Sequence, residues 1–176
     1  IFVLGLLGRV GSLAMATAYP QEYTALLEKI AADTDANLVD LELAKFGFDH
    51  NQLSKEMMSD WRMPKIFQSA VMHFEDPSKS DLIEGSRDWN LLHLLHVADY
   101  LARTCLAQEP MRSKMVSRLI FKATRLGVES DALTDLSDKV VREWHGWSKL
   151  FNIQVVDVPP FQSLLEMVPL APESSD

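Results

Sequence analysis

Apolar residues recur at helical spacing along almost the whole chain, and no segment alternates apolar and polar positions as a half-buried strand does. The pattern predicts an all-α protein. "PQEYTALLEKIA" places Tyr23, Leu26, Leu27 and Ile30 on one stripe, with Pro20 in the first turn and the helix reaching about Ala32. "NLVDLELAKF" forms the next helix and stops at Gly47, a residue suited to a left-handed C-terminus. Asp49 then caps "HNQLSKEMMSDW", and Pro64 restarts the chain in "PKIFQSAVMHF". Turn formers and charges in "EDPSKSDLIEGSRD" mark the main internal loop, which leads into a long helix from about Trp89 to Ala107 that Pro110 ends. "RSKMVSRLIFKATRLG" runs to Gly127, and a last long helix from about Ser130 to Phe151 carries Val140, Val141, Trp144 and Trp147 as a wide apolar stripe. From Ile153 onward four prolines and an acidic end predict a tail or linker, so the expected organisation is a helical domain over 1–152 and a tail over 153–176.

The first eighteen residues are the anomaly. "GLLGRVGSLAM" reads as a buried helix with an arginine where the apolar face should run uninterrupted. The run "AMATA" has the look of a signal-cleavage site, but Arg9 lies in the middle of the apolar region, whereas a signal sequence carries its charge before it. The stretch is interrupted short of the ~20 apolar residues of a membrane span. We read it as a core helix, and its abrupt apolar start as that of a fragment whose N-terminal packing partner lies outside the sequence.

Composition narrows the function. In a chain of 176 residues the net charge is −8, so the broad basic surface that phosphate backbones require is missing and nucleic acid is not an expected partner; nor is a membrane. The single cysteine, Cys105, excludes an internal disulfide and a multi-cysteine zinc site, which fits a reducing, cytoplasmic setting. No HExxH, no Gly-rich phosphate loop and no Gly-x-Ser-x-Gly elbow occurs, which removes zincins, P-loop NTPases, dinucleotide-binding enzymes and α/β-hydrolases. Five histidines among carboxylates still invite a metal hypothesis, because helical bundles build such sites from His and Asp on neighbouring helices.

The order of residues over roughly 2–105 resembles the HD superfamily of helical metal-dependent phosphohydrolases, and more closely its HDOD (HD-related output domain) branch. "LLGRVG" stands where HD enzymes commonly read "LLHDIG", so the metal-binding His-Asp pair is replaced by Gly8 and Arg9. "ELAKFGFDHNQLSKEMMSDWRMPKIFQSAVMHF" resembles the HDOD pattern on Glu42, Gly47, His50, Trp61, Pro64 and His73, with Phe74 where many HD enzymes have a second histidine. "VADYLA" is similar to the segment carrying the last metal aspartate, here Asp99. The resemblance implies an HD-like orthogonal bundle of about seven to eight helices. It also implies a non-catalytic bacterial signalling domain acting through protein–protein interaction, commonly attached to receiver, GGDEF or EAL domains. A homodimer is a further option.

An arginine in place of aspartate sets a permanent positive charge where a cation would sit. His50, His73 and Asp99 remain as residual ligand positions; the expectation is no catalytic residue, no cofactor and no metal. The alternative is a phosphohydrolase of nucleotides or cyclic dinucleotides that uses Fe, Mn or Zn, since three ligands can suffice for catalytic zinc. A phosphate on Arg9 is a third possibility. Each residue also has a plainer structural role: His50 and His73 as hydrogen-bonded core histidines, His93 and His96 as surface or core residues, and Trp61, Trp144 and Trp147 as packing anchors. Asp99 has two candidate partners, Arg103 at i+4 and Arg9, of which Arg9 is preferred.

Overall fold

The computed structural model describes residues 2–33 and 36–166. Among these the chain is all-helical, as its periodicity predicts, with α1 (Phe2–Leu7), α2 (Val10–Ala18), α3 (Pro20–Ala32), α4 (Leu38–Phe46), α5 (His50–Asp60), α6 (Lys65–His73), a 3-10 turn (Pro77–Lys79), α7 (Arg87–Leu106), α8 (Met111–Thr124), α9 (Ser130–Phe151) and α10 (Phe161–Glu166). That is more helices than expected. The first predicted helix is broken at Gly8 and Arg9 into α1 and α2, and a tenth forms within the expected tail. Where the sequence reading drew one domain over 1–152 and a tail, the chain divides into two compact units, 1–96 and 97–176, with the division inside α7.

In the first unit α5 is the hub, packing on α2 and on α6, while α3 rests on α2 and α4. Leu4, Met58, Val71, Phe74 and Leu92 form its core. Two terminus signals place the site residues. Gly47 ends α4 with φ +80°, a conformation glycine adopts without the Cβ penalty. Two residues later Asp49 opens α5 with a full capping box: its carboxylate accepts from the backbone N–H groups of Asn51 and Gln52, both at 2.8 Å, and its own N–H donates to Gln52 Oε1 at 3.1 Å. The short link between these two ends delivers His50 to the first turn of α5, inside the unit.

A single close approach fixes α2 against α5. A Cβ on Gly11 would collide with the carbonyl oxygen of His50 and lie 2.6 Å from Ser54 Oγ. The Gly11 N–H instead donates to that hydroxyl at 2.9 Å, and Ser54 Oγ donates to the His50 carbonyl at 2.8 Å. Only a residue without a side chain permits this contact.

In the second unit α8, α9 and α10 pack on one another around Leu101, Val116, Leu119, Leu133, Phe161 and Leu164. The tail expectation therefore fails over 161–166. Phe161 and Leu164 are four residues or fewer apart on one face, both are buried, and the Phe161 N–H donates to Asp138 at 2.9 Å, so a short segment between prolines still docks by its apolar face. The acidic end of the tail, 167–176, lies outside the described residues.

Candidate functional site

The site lies within the first unit and starts from a buried carboxylate. Glu42, on α4, is 0% exposed and takes three donors: Tyr23 Oη at 2.9 Å on one oxygen, and the backbone N–H and ring Nδ1 of His50 at 2.9 and 2.7 Å on the other. The imidazole is equally enclosed. Its Nε2 lies 3.3 Å from Glu75 Oε2, an ion-pair contact that misses the alignment of a hydrogen bond. Glu75 in turn pairs with Arg9 Nη1 at 2.8 Å and accepts from Asn51 Nδ2 at 3.3 Å, and the Arg9 guanidinium lies over the Phe74 ring, 5.4 Å from its centroid.

Read from the surface inward, the side chains alternate in sign: Arg9, Glu75, His50, Glu42, with the Tyr23 hydroxyl closing the inner end. Burial alone would lower the His50 pKa, but the hydrogen bond to Glu42 and the close negative charges of Glu75 and Glu42 raise it from 6.5 to about 9. The ring is an imidazolium at neutral pH. Burial likewise opposes ionisation of Glu75, yet His50 and Arg9 hold its pKa down at about 2. Burial, and the neighbouring Glu42, push the Tyr23 phenol up to about 12, so it stays a donor. With two cations and two anions in contact, each buried charge is compensated by its neighbour.

The other predicted positions fall elsewhere. His73 ends α6; burial lowers its pKa, and the charges acting on it include Asp81, Lys55, Asp76 and Lys79. His96 is buried with Nδ1 2.6 Å from the Phe74 carbonyl oxygen, and His93 stacks on Trp89 with centroids 3.8 Å apart. Both have core or surface roles, as the residues suggest. Asp99 belongs to the second unit, where Arg103 pairs with it at 3.6 Å. Trp61 is half-exposed, and Pro64 sits at the N-cap of α6. Among the described residues no group of three or more His, Cys, Asp or Glu side chains is arranged to hold a metal ion.

Tyr23, Asn51, Glu75 and Gly11 are the functional positions that sequence reasoning missed. Tyr23 was assigned to an apolar stripe, where its ring indeed lies, but its hydroxyl was not followed. Glu75 directly follows Phe74, a position already marked as a departure from the enzymes, so the signal for it was one residue away.

Residues 1–77 match the family model for the HDOD domain. Among solved structures, the MmoQ response regulator from Methylococcus capsulatus str. Bath is similar at 32% identity and a TM-score of 0.58, over 77% of this chain and 49% of that one. The chain thus spans about half the length of that response regulator. No curated protein matches it. Glu42, His50, Trp61, Pro64 and His73 all fall inside the span that matches the HDOD family model.

Proposed function

We propose that this chain is a non-catalytic regulatory module of a signalling protein, with the metal site of its enzymatic relatives converted into a buried ion-pair chain. One observation carries the reading: both ring nitrogens of His50 face carboxylates, Glu42 at 2.7 Å and Glu75 at 3.3 Å. Glu42 holds Nδ1 and Glu75 faces Nε2, so the ring is enclosed by acceptors that favour its protonated form. Arg9 strengthens the case, because its guanidinium occupies the carboxylate of Glu75 and would repel a divalent ion. The donor set, an imidazole between two carboxylates with an arginine on the outer one, does not fit a divalent metal.

The regulatory role is supported by the HDOD match and by the likeness to a response regulator, of which this chain spans about half. An attached receiver, GGDEF or EAL domain is the partner such a module would serve. Among the described residues no helix is long and apolar enough to cross a membrane. The test is elemental analysis of the purified chain beside a His50→Ala, Asp99→Ala double variant, followed by hydrolysis assays on nucleotides and cyclic dinucleotides with added iron, manganese or zinc. The expected result is no stoichiometric metal and no turnover. Stoichiometric metal that disappears in the variant, together with metal-dependent hydrolysis, would establish the phosphohydrolase instead.

A further inference from the structure

A cavity of about 430 Å³ opens in the first unit between α5, Met72 of α6 and Phe48 in the link before α5. That lies within the ~300–1,000 Å³ of sites that hold small organic molecules. Its apolar wall is Phe48, Leu53 and Met72. None of the three is fully exposed, so the apolar surface is sunk behind a polar rim instead of standing out as a face. The Phe48 ring is braced by Phe46, with centroids 6.3 Å apart, and Phe46 in turn packs on Tyr19 at 5.0 Å. A phenyl ring and a thioether on facing walls suit an aromatic body between them.

The polar groups at the opening select the ligand's charge. One turn of α5 supplies all three of them, Gln52, Lys55 and Glu56, at i, i+3 and i+4. Lys55 and Glu56 lie 3.5 Å apart, so the rim carries both signs in one place. An anion drawn to Lys55 meets Glu56 beside it, and a cation drawn to Glu56 meets Lys55; either ion would also shed water into an apolar hole. Asp76, Asp81 and Lys79, which act on the neighbouring His73, do not line the cavity. Gln52 is left as the polar anchor. The capping box of α5 fixes its amide: Oε1 accepts from the Asp49 N–H at 3.1 Å, and the NH2 end donates to no group among the described residues. A side chain pinned at one end and unused at the other is a preorganised donor.

We propose that this cavity binds an uncharged small molecule, with an aromatic body between Phe48, Leu53 and Met72 and a carbonyl-type acceptor on the Gln52 amide. The proposal goes beyond the regulatory reading and does not depend on it. A segment of a partner protein fits less well, because the rim is charged and the apolar residues lie below it.

The test is methyl NMR of the whole chain titrated with acetophenone, benzoate and benzylammonium, which share a phenyl ring and differ in the charge of the head group. The expected result is that the Leu53 and Met72 methyl signals shift and saturate with acetophenone, at a Kd on the order of 1 mM for so small a compound. Both ions should bind at least about fivefold more weakly. Gln52→Glu keeps an oxygen for the Asp49 N–H, and with it the capping box, but removes the NH2 donor, so it should weaken acetophenone roughly threefold to tenfold. Glu56→Gln removes the negative charge of the rim and should bring benzoate to within about twofold of acetophenone. If Gln52→Glu loses helix by far-UV circular dichroism, the charge series and Glu56→Gln decide alone. Methyl signals that stay in place, an ion that binds the original chain as tightly as the ketone, a folded Gln52→Glu protein with unchanged affinity, or a Glu56→Gln protein that gains nothing for benzoate overturns the proposal. None of those results touches the regulatory reading, which falls only with metal-dependent turnover.

Discussion

Replacing Gly11 by alanine should damage the protein far more than a single methyl group on a helix normally does. In an isolated helix the change is favourable by about 1 kcal/mol, because alanine loses less backbone freedom than glycine. Here the new Cβ meets the His50 carbonyl oxygen, Ser54 Oγ at 2.6 Å and Ser54 N at 2.8 Å. The carbonyl and amide are backbone and cannot rotate away, so α2 must back off from α5. Overpacking of this kind costs about 1–3 kcal/mol, and the retreat also breaks the buried Gly11–Ser54 hydrogen bond, worth about 1–3 kcal/mol once its donor is left unsatisfied. Less the helix gain, the net is about 1–5 kcal/mol. Urea unfolding followed by far-UV circular dichroism measures it, and thermal unfolding should show a fall of roughly 2–20 °C for a chain of this size. A Ser54→Ala background removes the hydroxyl but leaves both backbone collisions, so it should not rescue the variant. A Gly11→Ala protein within about 0.5 kcal/mol of the original would refute the close approach of α2 to α5.

Four further outcomes follow from the ion-pair chain. His50 has its pKa raised in the folded state, so the stability it contributes is complete below pH 6.5 and is lost as pH rises through about 9; the loss should amount to about 3 kcal/mol in urea titrations at stepped pH. Glu75 has its pKa depressed, so its contribution is present above pH 4.5 and disappears as pH falls toward about 2. Arg9→Ala should cost no more than about 1 kcal/mol, because the guanidinium is partly solvated, yet it should raise the Glu75 pKa measurably by carboxyl NMR. Glu42→Gln removes the charge facing a buried imidazolium and should cost about 3–5 kcal/mol, with the His50 pKa falling in the same variant.

The helices were legible because their signals are local. Pro20, Gly47, Asp49 and Pro110 each act within one turn of chain, and the boundaries they predict for α3, α4, α5 and α7 agree with those observed to within about two residues. Stripes that need a neighbour were read less well. Val140, Val141, Trp144 and Trp147 form one broad apolar surface in the sequence, yet the fold turns Val141 and Trp144 inward and leaves Val140 and Trp147 in solvent, a division decided by where α8 and α10 pack. The same limit applies at the site. That Arg9 replaces a metal-site residue could be read from "LLGRVG", but its carboxylate partner, Glu75, is brought to it by tertiary packing across α2, α5 and α6. Phe161 and Leu164 were hidden by their prolines, since composition describes the solvated average of a segment and not the two side chains that dock.

The central claim is that His50 is itself a buried cation held between Glu42 and Glu75, in place of a metal ligand. Nitrogen-15 NMR of the His50 ring over a pH titration, with and without equimolar Mn(II), measures this directly. The account predicts that both ring nitrogens are protonated at pH 7, that the ring titrates near pH 9, and that manganese leaves its resonances sharp. A neutral ring at pH 7 whose signals vanish with stoichiometric manganese would contradict it.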